Sequence, residues 1–327
     1  MEKKSDNHST PNGESRGDKL HDTLFLQFTI YTGLLPLIFG GAHITWLSST
    51  YPSLINNNSS INPLTEPADL TDISLIGGLP IFAGLLGPLF LIKLSDKIGR
   101  KMFLQASSLG LFGCTIALAF ANHAVQILAS RCILFIILNA YGAIIQVYIG
   151  EICEETNRSK YLCIMGVCLP LGFIYGYYFG PICSYRIFTI ILSVPLLPFF
   201  AGFCFAPETP VYLLARGKVE SCFEALKKLR GNKNAKELQL ELDRMRQVLV
   251  ETNASSADKT LLHLVLFRRK EIRLAALITV GLGMAQHTCG MSVTTTYLGP
   301  LLNEARINLS ENTMTVTVAV IQTLGVL

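Results

Sequence analysis

The sequence predicts an all-α membrane protein, on three observations. Half of its 327 residues are hydrophobic and only 15% are charged, against roughly 25% charged in ordinary soluble domains. The apolar residues are gathered into stretches of about 20, each long enough to cross the roughly 30 Å hydrocarbon layer as a helix. All 23 Asp and Glu residues fall outside those stretches. Arg131 is the one Lys or Arg inside them, as the cost of an unpaired charge in lipid requires.

Eight candidate spans follow in order: 24–47, 73–92, 103–121, 125–150, 161–182, 187–205, 274–298 and 314–327. Residues 1–22 are polar and rich in Ser, Asn, Gly and Lys, which suits a disordered tail rather than a signal peptide, since no early apolar core is present. Lys and Arg favour the cytosolic side of a membrane. Taking alternate loops, 23 of the 27 basic residues fall on one side and two on the other. The amino terminus is therefore expected in the cytosol, which also argues against a seven-span receptor of the usual orientation. The net charge of +4 follows from this asymmetry and is no nucleic-acid signal.

Residues 23–206 read as a six-helix bundle and 207–271 as a soluble helical linker. Within that linker Leu238, Leu242, Met245 and Leu249 form one apolar stripe on a charged helix, expected to pack beneath the bundle. The outward segment between spans 1 and 2 lacks Lys and Arg and carries glycosylation acceptor patterns at Asn57 and Asn58, with another at Asn308 in the other outward loop. The nine Cys residues form no CxxC pair, so neither a disulfide framework nor a metal site is expected. No phosphate loop, nucleophile with its base or cofactor motif appears, so neither an enzyme nor a cofactor is expected. Prolines 36, 80, 88, 170, 195 and 198 are expected to interrupt backbone pairing locally.

The junction between spans 2 and 3 reads Leu94-Ser95-Asp96-Lys97-Ile98-Gly99-Arg100-Lys101. A hairpin this short needs a residue tolerant of unusual backbone angles, supplied by Gly99. Asp96, four before Arg100, is placed to pair with it. A second charged hinge runs from Glu151 to Arg158, three spans further on. Two such hinges on one side suit a protein whose cytosolic face opens and closes.

These residues carry a family resemblance. Asp96 to Lys101 matches the DxxGRK signature of the major facilitator superfamily. Tyr148-Ile149-Gly150-Glu151 followed by Arg158 resembles the YxGE…R element of its sugar porters. Pro207-Glu208-Thr209-Pro210-Val211-Tyr212-Leu213-Leu214, ahead of Leu229-Arg230-Gly231, is similar to their PESPxxL…LRG pattern, and the spacing looks most like the insect facilitators that include trehalose transporters. The resemblance implies a major facilitator fold with twelve spans, in which two six-helix halves rock about a sugar near mid-membrane. Residues 272–327 would then be the first helices of a second bundle, and the chain is expected to be part of a longer one.

In those terms Asp96, Gly99, Arg100, Lys101, Glu151, Arg158 and Glu208 are cytosolic gate residues. The span 7 motif QQxxGxN reads Gln286-His287-Thr288-Cys289-Gly290-Met291-Ser292, keeping the first Gln and replacing the second by His287 and the Asn by Ser292. The sugar-binding Gln of span 5 falls on Gly166, and the usual Pro of span 4 on Gln146, a further cavity candidate. Gln286, His287, Ser292 and Gly166 are thus the expected sugar contacts, three of four altered. Arg131 repeats a family position, where an internal structural partner is expected. The first span holds no acid, so facilitated diffusion of a hexose or trehalose is the expected activity, with a non-transporting sugar sensor or degenerate homologue as the alternative. The expected partners are the sugar and the lipid bilayer.

Overall fold

The structure is a computed structural model and describes residues 23–58, 61–231, 234–256, 270–304 and 311–326. Six helices, or near-continuous helix pairs, are long and apolar enough to cross a membrane. Span 1 is Leu24–Leu54, span 2 is Leu70–Gly84 continued by Leu86–Ile98, and span 3 is Arg100–Ala119. Span 4 is Ala124–Ile152, span 5 is Glu155–Phe179, and span 6 is Tyr185–Ile191 followed by Leu196–Phe203. The loops at 93–101, 151–160 and 207–256 share one end of the bundle, here called the basic end.

Span 1 packs chiefly on span 5 and span 2 on span 4. Lipid tails are as apolar as Leu, so helices in a membrane gain most from backbones that approach closely at small residues. A methyl at Gly41 would collide with the Leu169 carbonyl, and one at Gly172 with the Ile38 carbonyl and the Ala42 nitrogen. On the other pair, a methyl at Gly87 would collide with the Ile136 carbonyl, and one at Gly84 with the Asn139 amide. Spans 1 to 3 and 4 to 6 thereby repeat one scheme, the middle helix of each triplet pressing its glycines on the first helix of the other. Spans 3 and 6 cover the back, with Ile137 against Gly110 of span 3 and Tyr141 and Tyr148 against Phe199 and Phe203 of span 6.

The prolines act more selectively than expected. Spans 1 and 5 run through Pro36 and Pro170, and Pro80 lies inside Leu70–Gly84. Breaks occur at Leu85 and at residues 192–195, where Pro88 and Pro195 withhold the N–H that Gly84 and Ile191 would otherwise accept. The Ile191 carbonyl accepts instead from the Val194 N–H at 2.9 Å and from the Tyr175 hydroxyl at 2.7 Å. Pro198 sits in the first turn of Leu196–Phe203, where its missing N–H costs nothing.

After the bundle come three short basic-end helices, Pro210–Ala215, Val219–Arg230 and Ala235–Ser256. Leu238 and Leu242 bury their stripe against Leu214, Cys222 and Leu226. The stripe therefore packs on the neighbouring soluble helices. Burial pushes the Cys222 thiol up to about 11, so it stays protonated and serves as a small apolar filler. Span 7 is broken into Lys270–Thr288, Met291–Thr296 and Leu298–Glu304, with Gly290 left-handed at φ 79°. Glu311–Val326 follows and packs on span 5.

Gly172→Val is expected to lower stability by about 1–3 kcal/mol through overpacking. Gly113→Val, where an added methyl meets nothing within 4 Å, should leave stability within about 0.5 kcal/mol. Thermal unfolding of the detergent-solubilised variants measures both.

Candidate functional site at the basic end and along the cavity face

At the basic end three of the expected gate residues, Gly99, Lys101 and Glu208, meet at helix caps. Gly99, at φ 104°, is at once the last cap of span 2 and the first of span 3, and it offers no side chain to either. Glu208 arrives from beyond span 6 to fill that role. Its Oε1 accepts from the Lys101 backbone N–H at 3.0 Å and from its neighbour Thr209 at 3.1 Å. A carboxylate at a helix N-terminus is favoured by the dipole, and a methyl on Gly99 would collide with it. Gly99 is therefore required twice, for its positive φ and for its missing side chain.

The other helix ends are closed in the same way. The Lys101 ammonium donates to the Cys204 carbonyl at 2.8 Å, ending span 6. The Tyr212 hydroxyl donates to the Lys97 carbonyl at 3.1 Å, and Arg216 donates to the Asp96 carbonyl at 3.3 Å and to that of Lys97. Arg100 and Arg216 each place a guanidinium 5.4 Å from the centre of the Tyr212 ring, a cation–π geometry. Arg100 also reaches Asp96 at 3.0 Å and Glu151 at 3.4 Å.

Of the seven expected gate residues, Asp96, Gly99, Arg100, Lys101, Glu151 and Glu208 share this cluster. Arg158 does not join it. It stands exposed beside Gly150, along a groove of about 890 Å³ that Glu155, Thr156 and Arg244 also line. The buried cation of the second hinge is Arg230. It donates to the Ile152 carbonyl at 2.8 Å and pairs with Glu154 at 3.1 Å and Glu241 at 3.0 Å. Its signal in the sequence is the Leu229-Arg230-Gly231 pattern, which marks the residue without showing that it closes span 4.

The expected sugar contacts come from span 5 and from the helices after the linker. Gly166 is exposed on span 5, seven residues before Phe173 and so on the same helical face. Phe173 packs with Leu298 and Ala319, so that face points to the helices after the linker. Gln286 and His287 lie in Lys270–Thr288, and Ser292 lies in Met291–Thr296. The side chains of these three are outside the described residues, as is Asn308.

The end opposite the basic loops is closed. The Gly299 N–H donates to the Ser48 hydroxyl at 2.8 Å, the Tyr177 hydroxyl donates to the Thr295 carbonyl, and Tyr297 reaches the Ile73 carbonyl at 3.5 Å. A methyl on Gly77 would collide with the Tyr297 hydroxyl. The later parts of span 7 thus rest on spans 1, 2 and 5. Near the closed end Arg131 is buried with its guanidinium 4.9 Å from the Trp46 ring and 5.4 Å from that of Phe135. Its Nη1 lies 3.5 Å from the His43 carbonyl. Asn57 and Asn58 are exposed at the tip of a loop that Asn62 holds through the Leu54 and Asn56 carbonyls at 3.1 and 2.8 Å.

The family model described as "Sugar (and other) transporter" matches residues 35–327. The chain belongs to this sugar transporter family. It is 26% identical over 282 residues to sugar transporter ERD6-like 12 of Arabidopsis thaliana, covering 86% of this chain and 58% of that one. It is 24% identical over 297 residues to the facilitated trehalose transporter Tret1 of Polypedilum vanderplanki, covering 89% and 58%. Among solved structures, the major facilitator proton:xylose symporter XylE bound to 6-bromo-6-deoxy-D-glucose matches with a TM-score of 0.76 at 18% identity, over 94% of this chain and 68% of that one. A partially occluded inward open form of XylE from E. coli matches at 0.72 and 18% identity, over 92% and 71%. The fold is that of the major facilitator superfamily, and these relatives are transporters rather than enzymes. The chain spans 58% of each of the two curated transporters named here.

Arg230→Ala should lower stability by about 2 kcal/mol or more, since it strands a carbonyl and two carboxylates. Arg158→Ala should change it by no more than about 0.5 kcal/mol. Denaturation midpoints of the two variants, compared with the parent, decide between these two arginines as the structural one.

Proposed function

We propose that the protein carries a sugar, a hexose or trehalose, down its gradient across the membrane by alternating access. The supporting observation, beside the family match, is the set of contacts that ties span 7 to the first bundle at the end opposite the basic loops. Spans 1, 2 and 5 hold the outer part of span 7 through Ser48, Gly77 and Tyr177. A carrier needs such a state and its mirror, each exposing a mid-membrane site to one side only. Residues 23–206 act as one half, residues 207–271 as the linker, and residues 272–327 as the start of the other half.

On this reading the basic end is cytosolic, as its Lys and Arg content favours, and the membrane is the plasma membrane. Asp96, Gly99, Arg100, Lys101, Glu151, Arg158 and Glu208 form the cytosolic gate. The caps made by Glu208 and Lys101 and the ion pairs of Arg100 with Asp96 and Glu151 hold helix ends in place and can be exchanged for contacts to the other half. Gln286, His287, Ser292 and the open surface at Gly166 bound the sugar site. Asn57, Asn58 and Asn308 face outward as glycan acceptors, consistent with the exposed loop tip that carries the first two.

The uncoupled character rests on span 1, which holds no carboxylate, and on Arg131, whose ring partners are aromatic. A proton-driven carrier takes its proton on a buried carboxylate in its path, whereas span 1 offers only His43 near its outer end. Labelled glucose and trehalose should therefore equilibrate across vesicles carrying the protein without accumulating, and a protonophore should change nothing. Accumulation that a protonophore abolishes would refute the uncoupled reading. Gly77→Trp should cut uptake at least tenfold, because the ring occupies the place of Tyr297 and props the outer end open. Wild-type uptake in that variant would remove the assigned closure.

A further inference from the structure

Span 4 carries two primary amides that the expected sugar site does not use. Asn139 and Gln146 are seven residues apart, which places them on one helical stripe about 10 Å apart along the axis. Both are exposed. The rest of span 4 shows where that stripe points. Ile137 meets Gly110 of span 3, and Tyr141 and Tyr148 meet Phe199 and Phe203 of span 6. At about 100° per residue, Asn139 and Gln146 lie on the side away from spans 3 and 6. Asn139 meets Gly84 of span 2, and Gly142 between the two amides meets Leu37 of span 1. The stripe is thus framed by the helices whose free surfaces face the second half, rather than by the outer pair.

The chemistry agrees with that direction. An amide that faced hydrocarbon would leave its donors and acceptor unpaired, a placement that membrane spans avoid. Asn139 spends one donor on the Phe135 carbonyl at 2.9 Å, which leaves its oxygen to accept. Gln146 has both functions free among the described residues. A carboxamide donates and accepts at once, which is what a sugar hydroxyl requires. Across the cavity face, Gly166 of span 5 and the Leu162 and Leu169 beside it offer no side-chain hydrogen bond.

We propose that Asn139 and Gln146 form a hydroxyl-binding subsite on span 4, giving the sugar from the first bundle the hydrogen bonds that Gly166 cannot. The proposal rests on the sugar-carrier reading and adds to it where recognition is made. Span 4 runs from Arg131 near the closed end to Glu151 in the basic cluster. A sugar held at Asn139 and Gln146 therefore bears on the same rigid helix whose end Arg230 caps.

The test is uptake by vesicles carrying the protein, with labelled glucose, trehalose and the monodeoxy glucoses as probes. Gln146→Leu should raise KM roughly tenfold for the preferred sugar, the equivalent of one hydrogen bond. The same variant should leave KM nearly unchanged for the analogue lacking the hydroxyl that Gln146 binds. Asn139→Leu should do likewise for a different analogue, and Gly166→Gln placed on Gln146→Leu should recover part of the loss. Gln146→Met, of similar length and shape, should reproduce the Leu result and serves if the Leu variant does not reach the membrane. A parent that takes up sugar while all variants keep its KM, or lose affinity equally for every analogue, overturns the subsite alone. A parent that takes up none of the probes overturns the carrier reading and the subsite with it.

Discussion

Everything in this bundle depends on helices touching backbone to backbone. In lipid there is no water to drive apolar faces together, so a helix pair is held by close packing and by the polar contacts that close approach allows. At Gly41 and Gly172 spans 1 and 5 approach until no side-chain atom fits between them. Spans 2 and 4 do the same at Gly87. Because these crossings occupy equivalent places in the two triplets, they tie spans 1, 2, 4 and 5 into a body that can move as a unit. The Tyr141 hydroxyl on the Gly33 carbonyl at 2.6 Å locks the same body from within, and the Trp46 indole on Thr189 at 2.9 Å ties span 6 to it.

The charged motifs complete that body at one end. Four helix termini meet there, each with backbone groups that the helix itself cannot satisfy. Glu208 takes the start of span 3, Lys101 the end of span 6, Tyr212 and Arg216 the end of span 2, and Arg230 the end of span 4. The soluble helices after span 6 are thereby bound to the bundle by its own unpaired carbonyls and amides. Charge at this end is structural before it is functional. A gate built from such caps is poised, since each cap is a contact that another helix end can compete for.

Much of this was legible in the chain. Charge segregation marks the spans because lipid excludes unpaired charge, and i,i+4 spacing marks the Asp96 and Arg100 pair because a helix places them together. Long-range partners were not legible. Glu208 caps Lys101 across the whole of spans 3 to 6, and nothing local in Pro207-Glu208-Thr209 shows which helix end it meets. Arg158 is the basic residue nearest the second hinge in sequence, yet Arg230 lies nearer in space because Val219–Arg230 folds back under span 4. Prolines mislead for a related reason. A helix held on all sides, as at Pro36, absorbs one missing hydrogen bond, whereas Pro195 coincides with a break whose carbonyl Tyr175 can satisfy. The break in span 7 was not legible, because Gly290 stands in the span 7 motif without showing that its backbone turns left-handed.

The proposed carrier needs a site on spans 4 and 5 that is reached from the basic end and shut from the other. Its most direct measurement is labelling of a single cysteine at position 146 or 166, in a variant lacking the nine native cysteines, by a membrane-impermeant maleimide applied to either face of sealed vesicles. Labelling from the basic side, with none from the opposite side while Ser48, Gly77 and Tyr177 hold span 7, is the predicted result. Equal labelling from the opposite side, or protection from both sides, would contradict it.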